Sequence, residues 1–189
     1  MKALLAIAAL LASAAPAAAV TVDFDSASGP VGATYAALGV TFANATTISF
    51  GLAGQTAPNS IVSICCSSVF GATDAITATF SADVVSVSIT ALDVGSAGAR
   101  IEAYDAVSAL IDFDEAFGPG LGIRNFLTLS VSGSAIRELR LFQPAPDGTD
   151  GMSFDTLVFT FADAPVPAPA MLGLFGLGLA ALGLRRRRA

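Results

Sequence analysis

The sequence predicts an all-β protein, an antiparallel β-sandwich of jelly-roll type, and three observations carry that expectation. Short runs rich in β-branched and aromatic residues recur through the middle of the chain. Several alternate strictly between apolar and hydroxyl residues, the period of a strand with one face in a core and one in water. No segment between them sustains a helical period with caps. Eight or nine short strands at near-regular spacing suit two packed sheets, and a closed barrel is the next candidate.

The elements follow in order. "MKALLAIAALLASAAPAAAV" has one basic residue, Lys2, then an apolar run from Ala3 to Ala12, then small residues. Ala17 and Ala19 form an A-x-A site, so residues 1–19 read as a secretory signal peptide that leaves Val20 as the new N-terminus. Residues 20–163 are the sandwich domain. Its predicted strands are "VTVDF", "GVTFA", "AITATF", "VVSVSITAL", "RIEAYDA", "LIDF", "FLTLSVSG", "IRELRLF" and "TLVFTF". In the fourth, Val85, Val87 and Ile89 interleave with Ser86, Ser88 and Thr90; in the seventh, Leu127, Leu129 and Val131 interleave with Thr128, Ser130 and Ser132. Turns fall at "SGPVG", "GLAGQTAPNS", "DVGSAG", "FGPGLG" and "PAPDGTDG". Residues 164–170 form a Pro-rich linker, 171–184 an apolar transmembrane segment, and 185–189 a basic cytoplasmic tail.

Charge narrows the function. All 15 acidic residues lie between Val20 and Ala164, against four arginines there, a balance of −11. Such a surface repels nucleic acid, whose binding begins with cationic contacts to phosphate. The chain holds no His, so Ser–His–Asp and Cys–His catalysis cannot be assembled. Asp112, Asp114 and Glu115 in "IDFDEAF" are the nearest thing to a glycosidase pair. Their plainer reading is a solvated turn, and the protein is expected not to be an enzyme.

Structural calcium is the better use for carboxylates. Asp23 and Asp25 lie two apart on one strand face, and Asp150 and Asp155 flank the start of the last strand, with Asp147 nearby. First and last strands of a sandwich often adjoin, which would converge these oxygens; ordinary acidic turns are the alternative. Asp155 shares parity with Leu157, Phe159 and Phe161, so it points inward unless a bulge turns it out.

Cys65 and Cys66 are neighbours. After export they could bridge to each other through a strained ring, link to a partner chain, or sit as two small half-buried strand residues. Carbohydrate platforms favour Trp and Tyr, and this chain has no Trp and only Tyr35 and Tyr104. Asn44 opens an N-x-T sequon, for which a turn asparagine is the plainer explanation.

The C-terminal stretch is the most explicit part. Met171 to Leu184 is uncharged, short of the roughly 20 residues a bilayer span takes unless the preceding prolines contribute. Arg185, Arg186, Arg187 and Arg188 hold the end in the cytoplasm, so the body lies outside. "VPAPA" directly before a short Gly-rich span and a basic cluster resembles the PEP-CTERM sorting signal of Gram-negative bacteria. By that resemblance Val166, Pro167, Ala168, Pro169 and Ala170 are the sorting motif, with Ala168 where the commonest form has Glu. The resemblance implies recognition by an exosortase, a membrane-embedded cysteine transpeptidase, after insertion in the inner membrane. It further implies cutting near the motif and a final place at the cell surface or outside, commonly with exopolysaccharide in a biofilm. The body is also similar to the β-sandwich domains attached to such tails, through "YAALGVTF", "APNS", "IEAYDAVSALI" and "MSFDTLVF". A displayed carbohydrate-binding module is the alternative expectation.

Overall fold

A computed structural model describes residues 18–49, 51, 55–56, 58–65 and 68–162. They lie in one compact unit, Ala17–Ala162. Most of the predicted signal peptide, the predicted linker and span, the sorting motif and Arg185 to Arg188 fall outside them.

The unit is all-β and antiparallel. Its strands are β1 (Ala19–Val22), β2 (Val40–Ala43), β3 (Ala45–Ile48), β4 (Ser60–Ser63), β5 (Ile76–Leu92), β6 (Ala99–Tyr104), β7 (Leu110–Ala116), β8 (Phe126–Phe142) and β9 (Ser153–Phe161). Hydrogen bonding links them in the order β3-β4-β9-β5-β8-β6-β7, with β1 added on β9 and β2 on β5. Two long bent strands turn this single ladder into a sandwich. The last part of β5 and the first part of β8 pair beside β9, whereas the opposite ends of the same strands pair beside β2 and β6.

Irregularities in register make the bend. The β5–β8 pairing slips between Thr79 and Val84 and again between Val84 and Ser86. Before the slip Ile76, Ala78 and Phe80 are buried; after it Val87, Ile89 and Ala91 are. An extra residue in a strand moves every later side chain to the other face, so one strand can line the core in both layers. Val84 consequently takes the buried place that simple alternation gives to Val85.

Aromatic rings bridge the layers. Phe80 of β5 meets Phe159 of β9 with centroids 4.9 Å apart, and Phe24 meets Phe42 edge-on at 5.4 Å. Each ring fully withdrawn from water stabilises the fold by about 1.5–3 kcal/mol. The nine strands are not the nine predicted. "AITATF" and "VVSVSITAL" are one strand, "FLTLSVSG" and "IRELRLF" are another, and β3 and β4 had no clear signal.

Asn44, at the corner between β2 and β3, is a turn asparagine: its φ is +55° and its Nδ2 donates to Ser63 Oγ at 2.9 Å and the Asp74 carbonyl at 2.6 Å.

Candidate functional site

Three regions hold the residues whose chemistry drew notice. In the first, β1 and β9 adjoin as expected, with Val22 opposite Leu157. Thr156 takes φ +48°, and the β5–β9 register slips there, so that Phe154 pairs with Ala91 and Asp155 with Thr90. Phe154 fills the core and Asp155 turns to the opposite face, the bulge outcome rather than the inward row.

Asp155 is nonetheless fully buried, because residues 55–56 cover it. The Thr56 amide donates to Oδ2 at 2.6 Å, the Thr56 hydroxyl to Oδ1 at 2.9 Å, and the Thr156 amide to Oδ1 at 2.6 Å. Desolvation pushes the Asp155 carboxyl above its ordinary range; these donors oppose the shift, and the Asp25 charge adds to it. Asp23 and Asp25 do not share a strand face as expected, because β1 ends at Val22 and Phe24 turns the chain at φ +64°, but the same loop reaches both. Asn59 donates its amide to Asp25 Oδ1 at 3.0 Å, Asp25 its amide to Asp23 Oδ1 at 3.2 Å, and the Thr56 hydroxyl lies 3.2 Å from the Asp23 carbonyl.

Asp150 does not join them. Its Oδ2 accepts the Ala97 amide at 2.8 Å, its carbonyl accepts Gln143 Nε2 at 2.6 Å, and the carboxylate abuts Gly95. Oδ1 is buried with no hydrogen-bond partner among the described residues. Asp147 caps its own turn, taking the Thr149 and Asp150 amides, which lower its pKa. The four-carboxylate calcium set is therefore divided between two places. Among the described residues no three acidic or cysteine side chains form a group that could hold a metal ion. Cys66 lies outside the described residues; Cys65 is exposed, with Sγ 3.4 Å from Ser63 Oγ.

The second region is the "IDFDEAF" cluster on β7. Asp112 Oδ2 accepts the Ser132 amide and Asp114 Oδ2 the Ser130 amide, both at 2.8 Å. A Cβ on Gly133 would meet Ile111 at 2.6 Å, so 111 faces 133, 112 faces 132 and 114 faces 130. β7 thus runs antiparallel beside the free edge of β8, with carboxylates standing where a neighbouring strand would offer carbonyls. Glu115 pairs with Arg100 at 2.8 Å, and that guanidinium stacks on Phe113 at 4.1 Å. These acids close a seam, a role for which the sequence carries no signal because it depends on which strand edge lies opposite.

The third region is the outer face of the β8–β5–β9–β1 layer. A shallow groove of about 270 Å³ is lined by Ser86, Ser88, Ser130, Ser132, Val158 and Thr160. Another hollow, about 230 Å³, lies among the loops beside Asp93, Leu121, Ile123 and Met152. No helix among the described residues is long and apolar enough to cross a membrane.

Residues 165–188 match the PEP-CTERM protein-sorting motif. No curated protein matches the sequence. Among solved structures, the unit is similar to the C-terminal family 6 carbohydrate-binding module of a marine laminarinase from Zobellia galactanivorans. Identity is 9%, coverage 76% of this chain and 99% of that one, and the TM-score 0.41. It is similar to a xylan-binding domain from Paenibacillus barcinonensis at 12% identity, 75% and 98% coverage and a TM-score of 0.43. A family 6 module from Clostridium stercorarium, in complex with cellobiose, gives 11%, 76% and 94%, and 0.41.

Proposed function

We propose that this chain, which carries a PEP-CTERM protein-sorting motif, is a non-enzymatic surface or matrix protein whose tail is an address read and removed by an exosortase. One observation carries the reading: the motif at 165–188 stands directly after the folded unit that ends at Ala162. Residues 1–19 direct export, residues 171–184 hold the intermediate in the inner membrane, and Arg185 to Arg188 keep its end in the cytoplasm. Cutting near Val166 to Ala170 then frees the sandwich to join the cell surface or its exopolysaccharide.

The occupied carboxylates support a non-catalytic role. Asp112 and Asp114 are bound by main-chain amides and Glu115 by Arg100, leaving no free acid–base pair on β7. Replacing both Pro167 and Pro169 by Leu in the native host tests the sorting step. The variant is expected to stay full length in the inner membrane; unchanged release would remove the motif from the account.

A displayed carbohydrate-binding module is the second reading, favoured by the hydroxyl-lined groove. Calcium at Asp23, Asp25 and Asp155 would require these carboxylates to regroup, since as they stand they form no metal-holding set. A thermal midpoint that calcium raises in the wild type and not in Asp155→Asn would support it; equal responses would remove it.

A further inference from the structure

The outer face of the β8–β5–β9–β1 layer has an unusual composition for so acidic a body. Strand register sets its side chains in rows. Ser132, Ser86 and Thr160 form one row, and Ser130, Ser88, Val158 and Thr21 the next. Thr128 and Thr90 begin a third, which ends at Asp155, the one carboxylate on the face, sealed beneath Thr56. Neither Arg nor ionised surface carboxylate stands within these rows; Asp112 and Asp114 lie at their β8 end, held by the Ser132 and Ser130 amides. None of the hydroxyls of Ser86, Ser88, Ser130, Ser132 or Thr160 bonds to another described residue, so each is free to donate and to accept.

We propose that this face binds a neutral, extended polysaccharide lying across the strands. The chemistry excludes other partners in turn. Nucleic acid needs cationic contacts, and the face has none. A protein partner needs aromatic or Arg anchors at its centre, and the central residues here are Ser88 and Val158. A neutral sugar chain presents hydroxyls that both donate and accept, with small apolar patches between them. Ser86, Ser88, Ser130 and Thr160 answer the first, Val158 the second. Adjacent strands lie about 4.8 Å apart, close to the length of one pyranose in an extended chain. A chain across the strands therefore meets one hydroxyl row member per sugar, and the groove of about 270 Å³ gives it a bed. Hydroxyls alone hold weakly against water, but many copies on one surface engage one polymer together. This deepens the carbohydrate-binding reading and depends on export only for access to the polymer.

The test is affinity electrophoresis of the mature, tail-free protein in gels containing hydroxyethylcellulose, arabinoxylan, dextran or alginate. Retardation by at least one neutral polymer and none by alginate is expected. Ser88→Arg should weaken it at least tenfold, and Ser88→Thr should retain it, with circular dichroism and thermal midpoint unchanged in both. If Ser88→Arg binds as well as wild type, this face is wrong while the binding-module reading stands. If none of the three neutral polymers retards the wild type, both fall. Binding to alginate alone contradicts the neutral chemistry. Inhibition of ice recrystallisation that Ser88→Arg abolishes would assign the face to ice and overturn the proposal. Tail processing is a separate measurement, and none of these results alters it.

Discussion

Asp155 shows how far a single residue can be read from its neighbours. Its parity with Leu157 and Phe159 pointed inward, and only the left-handed Thr156 reverses it. No residue type at 156 announces that conformation, since Thr rarely adopts it. The consequence is measurable. Because the folded-state pKa is raised, the native protein takes up a proton before the unfolded chain does, so Asp155 favours the fold as pH falls toward the ordinary value of 3.8. In urea titrations, the stability of wild type relative to Asp155→Ala should grow as pH drops through the window just above that value; a gap that shrinks would contradict the assigned cause. Gly122 is a second residue-scale case. At φ +72° a Cβ there would run into Val94 and Gly95, so Gly122→Ala should cost more than about 1 kcal/mol in a denaturant titration.

At the scale of elements, alternation located most strands correctly and misjudged their continuity. The polar break "SAD" separates two runs that read as different strands, yet it is the outer corner of one strand that changes layers. β3 and β4 escaped notice because "ATTI" and "SIVS" are short and built mostly of small or polar residues. The bulge makes a sharp comparison: Val84→Ala should cost about 2 kcal/mol as a buried deletion, and Val85→Ala well under half of that. Equal costs would mean that alternation runs unbroken through the bend.

The β7–β8 seam belongs at this scale as well. Edge strands invite pairing with other chains, and carboxylates along an edge are a known way to prevent it. Asp112→Ala with Asp114→Ala should lose about 1 kcal/mol per bond and speed hydrogen exchange at the Ser130 and Ser132 amides. It should also increase self-association by size-exclusion chromatography, while the Asn pair retains an acceptor and stays close to wild type. Unchanged exchange in the Ala pair would show that the carboxylates do not guard the edge.

For the whole molecule, what was legible divides along the physics. The C-terminal motif is a short linear signal whose meaning lies in order and composition, so "VPAPA", the apolar run and the four arginines could be read directly. The sandwich was legible as a class because alternation reports burial. The placement of its acids was not, since bulges, loop covers and strand edges decide whether a carboxylate meets a metal, an amide or water. In the proposed function the tail is an address and the sandwich is the product. Intact mass of the protein recovered outside the cytoplasmic membrane of its native host tests this most directly. The expected product begins at Val20 and ends between Val166 and Ala170. A full-length tail, retained with the inner membrane and still ending in its arginines, would contradict it.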